Sequence, residues 1–408
     1  MRILVQKFGG TSVASRQSRL AAIEHIEDAL QREYKVVVVV SAMGRRGEPY
    51  ATDTLLSVVD ESDVVSKRDL DILMSCGEAI SAVVFASMLR SHGHEVTVLN
   101  GIQAGMITNS QHGDARILDI RPHRILEELE NGRIVVVMGF QGGTADGDIT
   151  TLGRGGSDTT ATALGVALDA EFVDIFTDVE GIMTADPRIV STARRLNQVT
   201  YTEICNLAYQ GAKVIHPRAV EVAMQKNIPI RVRSTHSKDE GTLVTNSIAT
   251  MEGYRVMEQY VTGVTQSANI TQINVPVQPS QHQAVFSAMA EHAISLDFIS
   301  VSPERIAYTV SDTDADKAVA VLREMGYDPF TVPDCAKVSA VGAGIAGVPG
   351  IMAKIVNALS SEGVSILQSA DSHTTIWCLV HRKDMETAVQ ALHRAFGLDV
   401  ESVFQTDR

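Results

Sequence analysis

Between Thr150 and Asp158 the chain reads Thr-Thr-Leu-Gly-Arg-Gly-Gly-Ser-Asp, gathering a guanidinium, a carboxylate, hydroxyls and a glycine pair into one turn. Gly155 and Gly156 permit positive φ and close approach of a ligand to the backbone. An Ala-rich helical run, Thr160–Ala167, follows directly, and N–H groups at a helix N-terminus favour an anion. Arg154 adds a fork that fits a carboxylate or a phosphate. Taken alone, the stretch fits an anion site and equally a Gly-rich turn with a surface Arg–Asp pair. Lys7 is the second group of interest. It stands near the end of the apolar run Ile3–Phe8, just before Gly9-Gly10-Thr11-Ser12. An unpaired buried ammonium is costly, so Lys7 reaches the surface, pairs with a carboxylate, or lends its charge to phosphates beside a nest of backbone N–H groups. No Walker A loop occurs anywhere in the chain.

These groups need elements to position them. Ile3–Phe8 reads as a strand. A helix with Leu20, Ile23, Ile26 and Leu30 on one face follows, with Ser15 as its N-cap. Lys35–Ser41 is a β-branched run suited to a strand buried on both faces. Strand, helix and strand, with a turn at each strand's carboxyl end, describe a parallel α/β layer. Ligands collect beyond those ends, where Gly9–Ser12 and Ser41-Ala42-Met43-Gly44 fall. Asp69–Arg90 reads as a helix with Ile72, Leu73, Cys76, Ile80, Val83, Val84 and Leu89 apolar. Glu78 lies mid-helix, either on a solvated face or, among small and apolar neighbours, facing a cation such as an ammonium group. Glu95–Asn100, Ile134–Phe140 and Phe172–Phe176 are further strands, and Ile125–Leu129 is a short helix. Lys213–Pro217 and Ile228–Arg233 close this domain. His216, preceding a proline in an apolar stretch, is expected to be a hydrogen-bonded structural histidine. Gly241–Glu258 loses periodicity and reads as a connector.

Composition narrows the function class. The 408 residues carry a formal charge of −14, which argues against nucleic-acid or anionic-membrane partners. The apolar runs Val36–Val40 and Ile134–Met138 are too short to cross a bilayer, and Met1–Phe8 lacks the features of a secretory signal. Four dispersed cysteines without a C-x-x-C fit free thiols in a reducing cytoplasm and give no reason to expect a metal site. A cytoplasmic protein is expected.

Five motifs now stand in order across about 215 residues: Lys7–Ser12, Ser41–Gly44, Gly153–Asp158, Thr177-Asp178-Val179 and Thr184-Ala185-Asp186-Pro187-Arg188. Together they resemble the signature set of the aspartokinases, within the amino-acid kinase family. The resemblance implies a three-layer α/β/α sandwich with a mostly parallel central sheet, and phosphorylation of the L-aspartate side-chain carboxylate by ATP with Mg²⁺. It also implies roles for matching residues. Lys7, Phe8, Gly9 and Gly10 would cradle the phosphates, with Lys7 stabilising charge in transfer and Asp158 organising Lys7. Thr52 would lie near the amino acid, Glu78 would take its α-ammonium, and Arg154 its α-carboxylate, with Gly155, Gly156 and Ser157 as further donors. Ser41, Thr177, Asp178, Met183, Arg188, Lys213 and Val214 match the nucleotide side. Met183 stands where many relatives carry an aromatic, and Arg45–Tyr50 is an extra stretch before Thr52.

Elementary chemistry agrees with such a site. A carboxyl of pKa about 4 is already ionised at neutral pH, so phosphorylating it needs no general base. Alignment and positive charge are what the transfer requires. Losing the Arg154 fork would cost roughly 2–5 kcal/mol by the scale of truncated buried charge pairs.

The last 145 residues differ. An offset of 70 aligns Phe286–Arg323 with Val356–His393 without a gap. Each copy reads strand, helix, strand, strand, helix, strand, and the pair resembles tandem ACT modules, small α+β ferredoxin-like domains that bind amino-acid effectors. The expected layout is a catalytic domain over 1–245, a linker over 246–262, and ACT modules over 263–335 and 336–408. The expected partners are L-aspartate and a feedback effector (lysine, threonine or diaminopimelate) from the lysine, threonine and methionine pathway. A homo-oligomer, dimer or tetramer, is expected through the ACT modules. Gly342–Gly347 matches G-x-G-x-x-G, but too little chain follows for a dinucleotide fold, and a strand-to-helix turn with Pro349 opening the helix fits better. A kinase for another acid such as glutamate, a silent effector-binding protein and a nicotinamide dehydrogenase are the rival readings.

Overall fold

The computed structural model describes residues 1–60, 64–212, 214–246, 260–343, 345 and 348–400. It divides into two compact units. In the first, β1 (Ile3–Phe8) is followed by α1 (Gly10–Ala14), α2 (Arg16–Gln31), β2 (Lys35–Val40), α3 (Thr52–Leu56) and α4 (Lys67–Ser91). Next come β3 (Val96–Leu99), β4 (Met106–Thr108), β5 (Ile117–Ile120), α5 (His123–Glu130), β6 (Ile134–Met138), β7 (Gln141–Gly143) and β8 (Ile149–Thr151). The unit continues through α6 (Gly156–Ala167), β9 (Phe172–Thr177), β10 (Gln198–Thr200), α7 (Tyr201–Tyr209), α8 (Pro217–Met224), β11 (Ile230–Ser234) and β12 (Thr242–Thr245).

Eight strands form the main sheet in the order β10-β12-β11-β9-β1-β2-β6-β3. Only β11 and β12 run antiparallel; the other neighbours are parallel. The sandwich expected from sequence is the one observed. β2 is Val-rich because both faces are covered. Val36, Val38 and Val40 join a core with Ile23 and Ile26 of α2 and Phe85 and Leu89 of α4, while Val37 and Val39 face the other way and are equally buried. Each such side chain contributes roughly 1.5–3 kcal/mol of burial. Ser15 caps α2 as expected, its Oγ accepting from Ser18 N–H at 3.0 Å. A second sheet, β5-β4-β7-β8, escaped the sequence reading, because strands of three or four residues carry too little alternation to register.

Two expectations need correction. The buried face of α4 holds Asp71, Ser75, Glu78, Ser81, Ala82, Phe85 and Leu89, whereas Ile72 and Val83 are exposed, as is Cys76. By length and composition α4 could cross a membrane, yet its inward face carries Asp71 and Glu78 beside Phe85 and Leu89, while Ile72 and Val83 face out. Thr242–Thr245, read as connector, is a strand pairing with β10 and β11. Residues 247–259 of the expected linker lie outside the described residues.

In the second unit, β13 (Gly263–Pro276), α9 (His282–Glu291), β14 (Asp297–Ser302), β15 (Arg305–Ser311) and α10 (Asp312–Glu324) precede β16 (Phe330–Val341). Then follow α11 (Ile351–Ser361), β17 (Gln368–Asp371), β18 (Thr375–His381) and α12 (Met385–Ala395). One six-stranded antiparallel sheet has the order β14-β15-β13-β16-β18-β17. The boundary expected at 335/336 falls inside β16. That strand runs unbroken from one repeat into the next and pairs along its length with β13, whose register shifts between Ser267 and Ile270. Val264 of β13 joins the core of α11 and α12, whereas Ile273 and Val275 join that of α9 and α10. The modules share two long strands, so neither is a contiguous segment. The helix expected to open at Pro349 begins at Ile351, with Gly350 at φ 91° as its N-cap. Gly344, Ala346 and Gly347 of the glycine-rich decoy lie outside the described residues.

Two excursions from the expected catalytic domain, Met183–Arg194 and Tyr209–Ala212, group with this second unit. The reason is packing. Ala185 and Val190 are buried in the core that holds Ile355 and Leu359. Thr184 Oγ1 lies 2.9 Å from His393 Nε2, and Gln390 Nε2 donates to Ile189 O at 2.9 Å.

Candidate active site

The carboxyl ends of the parallel strands β1, β2, β6 and β9 face one region, and the chain turns as it leaves each of them. β1 ends at Gly9-Gly10. Gly10 has no room for a side chain, since a Cβ there would stand 2.6 Å from Gly44 O and 2.9 Å from Ala42 O. Gly44 N–H in turn donates to Gly10 O at 3.0 Å, so the turns after β1 and β2 are stitched together. Gly155 is the second enforced glycine. It N-caps α6 at φ 68°, and a Cβ there would lie 2.2 Å from His216 Cβ. α6 starts at Gly156, four residues before the expected Thr160, so Ser157 and Asp158 are first-turn residues with helical N–H groups around them.

A cleft of about 490 Å³ opens among these turns, lined by Lys7, Gly10, Ser41, Ala42, Gly44, Thr52, Asp53, Met74, Glu78, Gly113, Phe140 and Gly153 through Asp158. Lys7 and Asp158, 151 positions apart, form an ion pair at 2.7 Å with both side chains 12% exposed. Glu78 is 2% exposed. Its Oε1 accepts from Ala42 N–H at 3.0 Å, while Oε2 has no partner among the described residues. Burial with so little compensation pushes its pKa up to about 8. Arg154 is exposed at the cleft's other wall. The arrangement offers an ammonium beside helical N–H groups for anionic oxygens, and a buried carboxylate and a guanidinium for a molecule carrying both charges.

The sequence-derived candidates separate. Lys7, Gly10, Ser41, Thr52, Glu78, Arg154, Gly155, Gly156, Ser157 and Asp158 share the cleft. Phe8 does not reach it with its side chain. That ring is fully buried and stacks on Phe176 at 4.7 Å, so only its backbone is available to a ligand. Gly9 follows it, with N–H donating to Phe176 O at 3.3 Å. Thr177 ends β9 and Asp178 follows it, paired with Arg45 of the extra stretch. Met183 and Arg188 belong to the second unit, where Arg188 is exposed and held by Asp186 at 2.7 Å. Val214 is partly buried, and Lys213 lies outside the described residues. His216 is structural, as expected: its Nδ1 accepts from Arg218 N–H at 3.3 Å and caps α8.

Sequence reasoning missed Asp53, Met74, Gly113 and Phe140 in the lining, and two groups behind it. Asp71 is wholly buried, and Arg218 donates to Leu152 O and Ala115 O, each at 2.7 Å. The available signal was spacing. Asp71, Ser75 and Glu78 sit at i, i+4 and i+7, one polar stripe on a helix whose other faces are apolar.

Comparison with known proteins follows the same lines. The model of the amino acid kinase family matches residues 2–234, and an ACT domain model matches residues 331–394. The chain is 56% identical over 402 residues to aspartokinase 1 of Bacillus subtilis (strain 168), covering 98% of this chain and all of that protein. It is 39% identical to the aspartokinase of Geobacillus stearothermophilus, covering 98% and 99%. Among solved structures it is similar to E. coli aspartokinase III in complex with aspartate and ADP (R-state), with TM-score 0.78 and 27% identity over 97% of this chain and 99% of that one. The same enzyme with lysine and aspartate (T-state) gives TM-score 0.74 at 28% identity, with the same coverage.

Proposed function

This chain belongs to the aspartokinases of the amino acid kinase family, and from that premise we propose how its cleft carries out the family's reaction. The enzyme is an aspartate kinase: ATP is the phosphoryl donor and the L-aspartate side-chain carboxylate the acceptor. The observation that carries the assignment of roles is the meeting of Lys7, Asp158, Glu78 and Arg154 in one cleft.

The acceptor carboxylate arrives ionised, so the site aligns it and supplies charge. Lys7, held by Asp158, stabilises the developing charge on the transferring phosphoryl group, and the backbone at Gly10 and Ser157, on the first turns of α1 and α6, presents N–H groups to phosphate oxygens. Glu78 releases its proton to solvent as the acceptor's α-ammonium docks against its free Oε2. Arg154 grips the α-carboxylate. Thr52 also lines the cleft, and Ser41, Thr177, Asp178 and Val214 serve the nucleotide side. Met183 and Arg188 have the weakest support there. The cleft's own carboxylates are Asp53, Glu78 and Asp158, and among the described residues no group of three or more His, Cys, Asp or Glu gathers to hold a metal. That donor set fits a Mg²⁺ ion carried in on phosphate oxygens. When bound, the ion would neutralise phosphate charge, with Asp158 the carboxylate nearest to Lys7.

The reaction opens the lysine, threonine and methionine (diaminopimelate) pathway in the cytoplasm. Feedback by an amino-acid end product at the ACT pair is supported by the lysine complex of the E. coli enzyme. Homo-oligomerisation through the second unit is supported by β14, an edge strand with Ile299 and Val301 about half exposed. An aspartyl-hydroxamate assay with ATP and magnesium, with lysine, threonine, methionine and diaminopimelate added singly and in pairs, tests the whole reading. Hydroxamate formation inhibited by one effector supports it. Aspartate left untouched by well-folded enzyme overturns it, and turnover insensitive to every effector removes the feedback part.

A further inference from the structure

The cleft's two amino-acid receptors come from distant elements: Glu78 from α4, Arg154 from the turn between β8 and α6. Something must fix their separation, and Asp71 is the group that touches both supports. It lies on α4 two turns before Glu78 and is 0% exposed. Its Oδ1 accepts from Thr151 Oγ1 at 2.5 Å, on the last residue of β8. Gly113 N–H donates to both oxygens, at 3.1 and 3.2 Å, and His112 Nδ1 stands 2.8 Å from Oδ2. Gly113 lines the cleft, and its carbonyl would be 3.2 Å from a Cβ on Gly153. Ala115 N–H donates to Thr151 O at 2.9 Å, closing a loop that runs from α4 through residues 112–115 to the turn of Arg154.

A carboxylate without exposure, and without a lysine or arginine partner among the described residues, is expensive to bury. Here hydrogen-bond donors from two separate segments satisfy it. We propose that Asp71 is a positioning residue that sets the distance between Glu78 and Arg154, and so selects the length of the acceptor amino acid. It touches neither phosphate nor acceptor. The inference rests on the acceptor roles proposed above for Glu78 and Arg154.

Steady-state kinetics on the full chain test it, with aspartate and the one-methylene-longer glutamate as acceptors. Asp71→Asn keeps the shape but removes the charge and leaves Gly113 N–H, which donates to both oxygens, only one acceptor, so the tie to the 112–115 segment is weakened. The expected result is an aspartate KM raised about tenfold or more, as for a small misplacement of a binding group. The KM for ATP should stay within about twofold and the aspartate-to-glutamate preference in kcat/KM should fall. Thr151→Val, which removes one donor, is milder and serves where Asp71→Asn folds poorly; it should shift the same two readouts in the same direction. Equal rises in both KM values overturn the proposal. So does a lowered Tm with unchanged kinetic constants, which would make Asp71 a structural tie alone. Glu78→Gln and Arg154→Ala are run alongside. If they leave aspartate KM unchanged, the acceptor site itself is misassigned and this proposal falls with it. If they raise it and Asp71→Asn does not, only the positioning role fails.

Discussion

Two buried carboxylates of the first unit answer the same physical problem in opposite ways. Asp174, in β9 and without exposure, is gripped by Arg231 through two bonds of 2.6 and 3.0 Å. Arg233 adds a third contact at 3.4 Å. Glu78 is almost as deep, yet among the described residues it meets no cation and one of its oxygens has no partner, and it is pushed up to a pKa of about 8. A buried charge matched within the chain holds the fold in one arrangement. One left unmatched at a cleft marks where a ligand's charge belongs.

That contrast can be broken by experiment. The largest effect should come from Lys7→Met, which removes the charge over the transferring group and should lower kcat by about 10²–10³-fold. Asp174→Asn should instead cost about 3–5 kcal/mol of stability, read as a lower Tm, with kcat of the folded fraction unchanged. A comparable kcat loss in both variants would abolish the distinction.

Glu78→Gln should raise aspartate KM by about 10²-fold, within the range for truncating one partner of a buried pair. It should also change the pH dependence of stability. A carboxyl whose folded pKa is raised favours the fold fully below its unfolded value near 4.5, and loses that contribution as pH rises through about 8. Each pH unit between those two values is worth about 1.4 kcal/mol. The wild-type chain should therefore lose stability between those limits relative to Glu78→Gln, as measured by urea unfolding at several pH values. Parallel profiles would mean that Glu78 is ionised and compensated in the free enzyme.

Arg154→Ala should be gentler. The side chain is exposed before the substrate arrives, so the lower end of the range applies, about 2 kcal/mol or roughly 30-fold in aspartate KM. The most diagnostic effect is on the wild type. If the ammonium displaces a proton from Glu78, aspartate KM should fall up to about tenfold for each pH unit between about 6 and 8, then level off. A flat profile would remove the proton from the binding step.

Much of this was legible in the chain. The turns after Ile3–Phe8, Lys35–Ser41 and Phe172–Phe176 were readable because each apolar run stops at a group of small or polar residues, where the backbone must turn. The repeat of 70 residues was readable because β15 and β18, with the helices after them, occupy matching positions. The inward face of α4 was not readable from hydropathy, because its cleft end is built from Asp71, Ser75 and Glu78, which periodicity assigns to solvent. Nor were the shared strands β13 and β16, since each half of each strand is apolar enough for either module.

The sequence alone determined which groups could do chemistry and that they would stand at strand ends, because residue type and strand–turn order are local properties. Only the tertiary structure decided which of them meet. Lys7 reaches Asp158 because β1 and α6 pack together across 151 positions of chain. Arg188 and Met183 go with the second unit because Ala185 and Val190 find their apolar partners in that core. Burial and pairing depend on neighbours brought from far along the chain, and no window of sequence holds both members of such a pair.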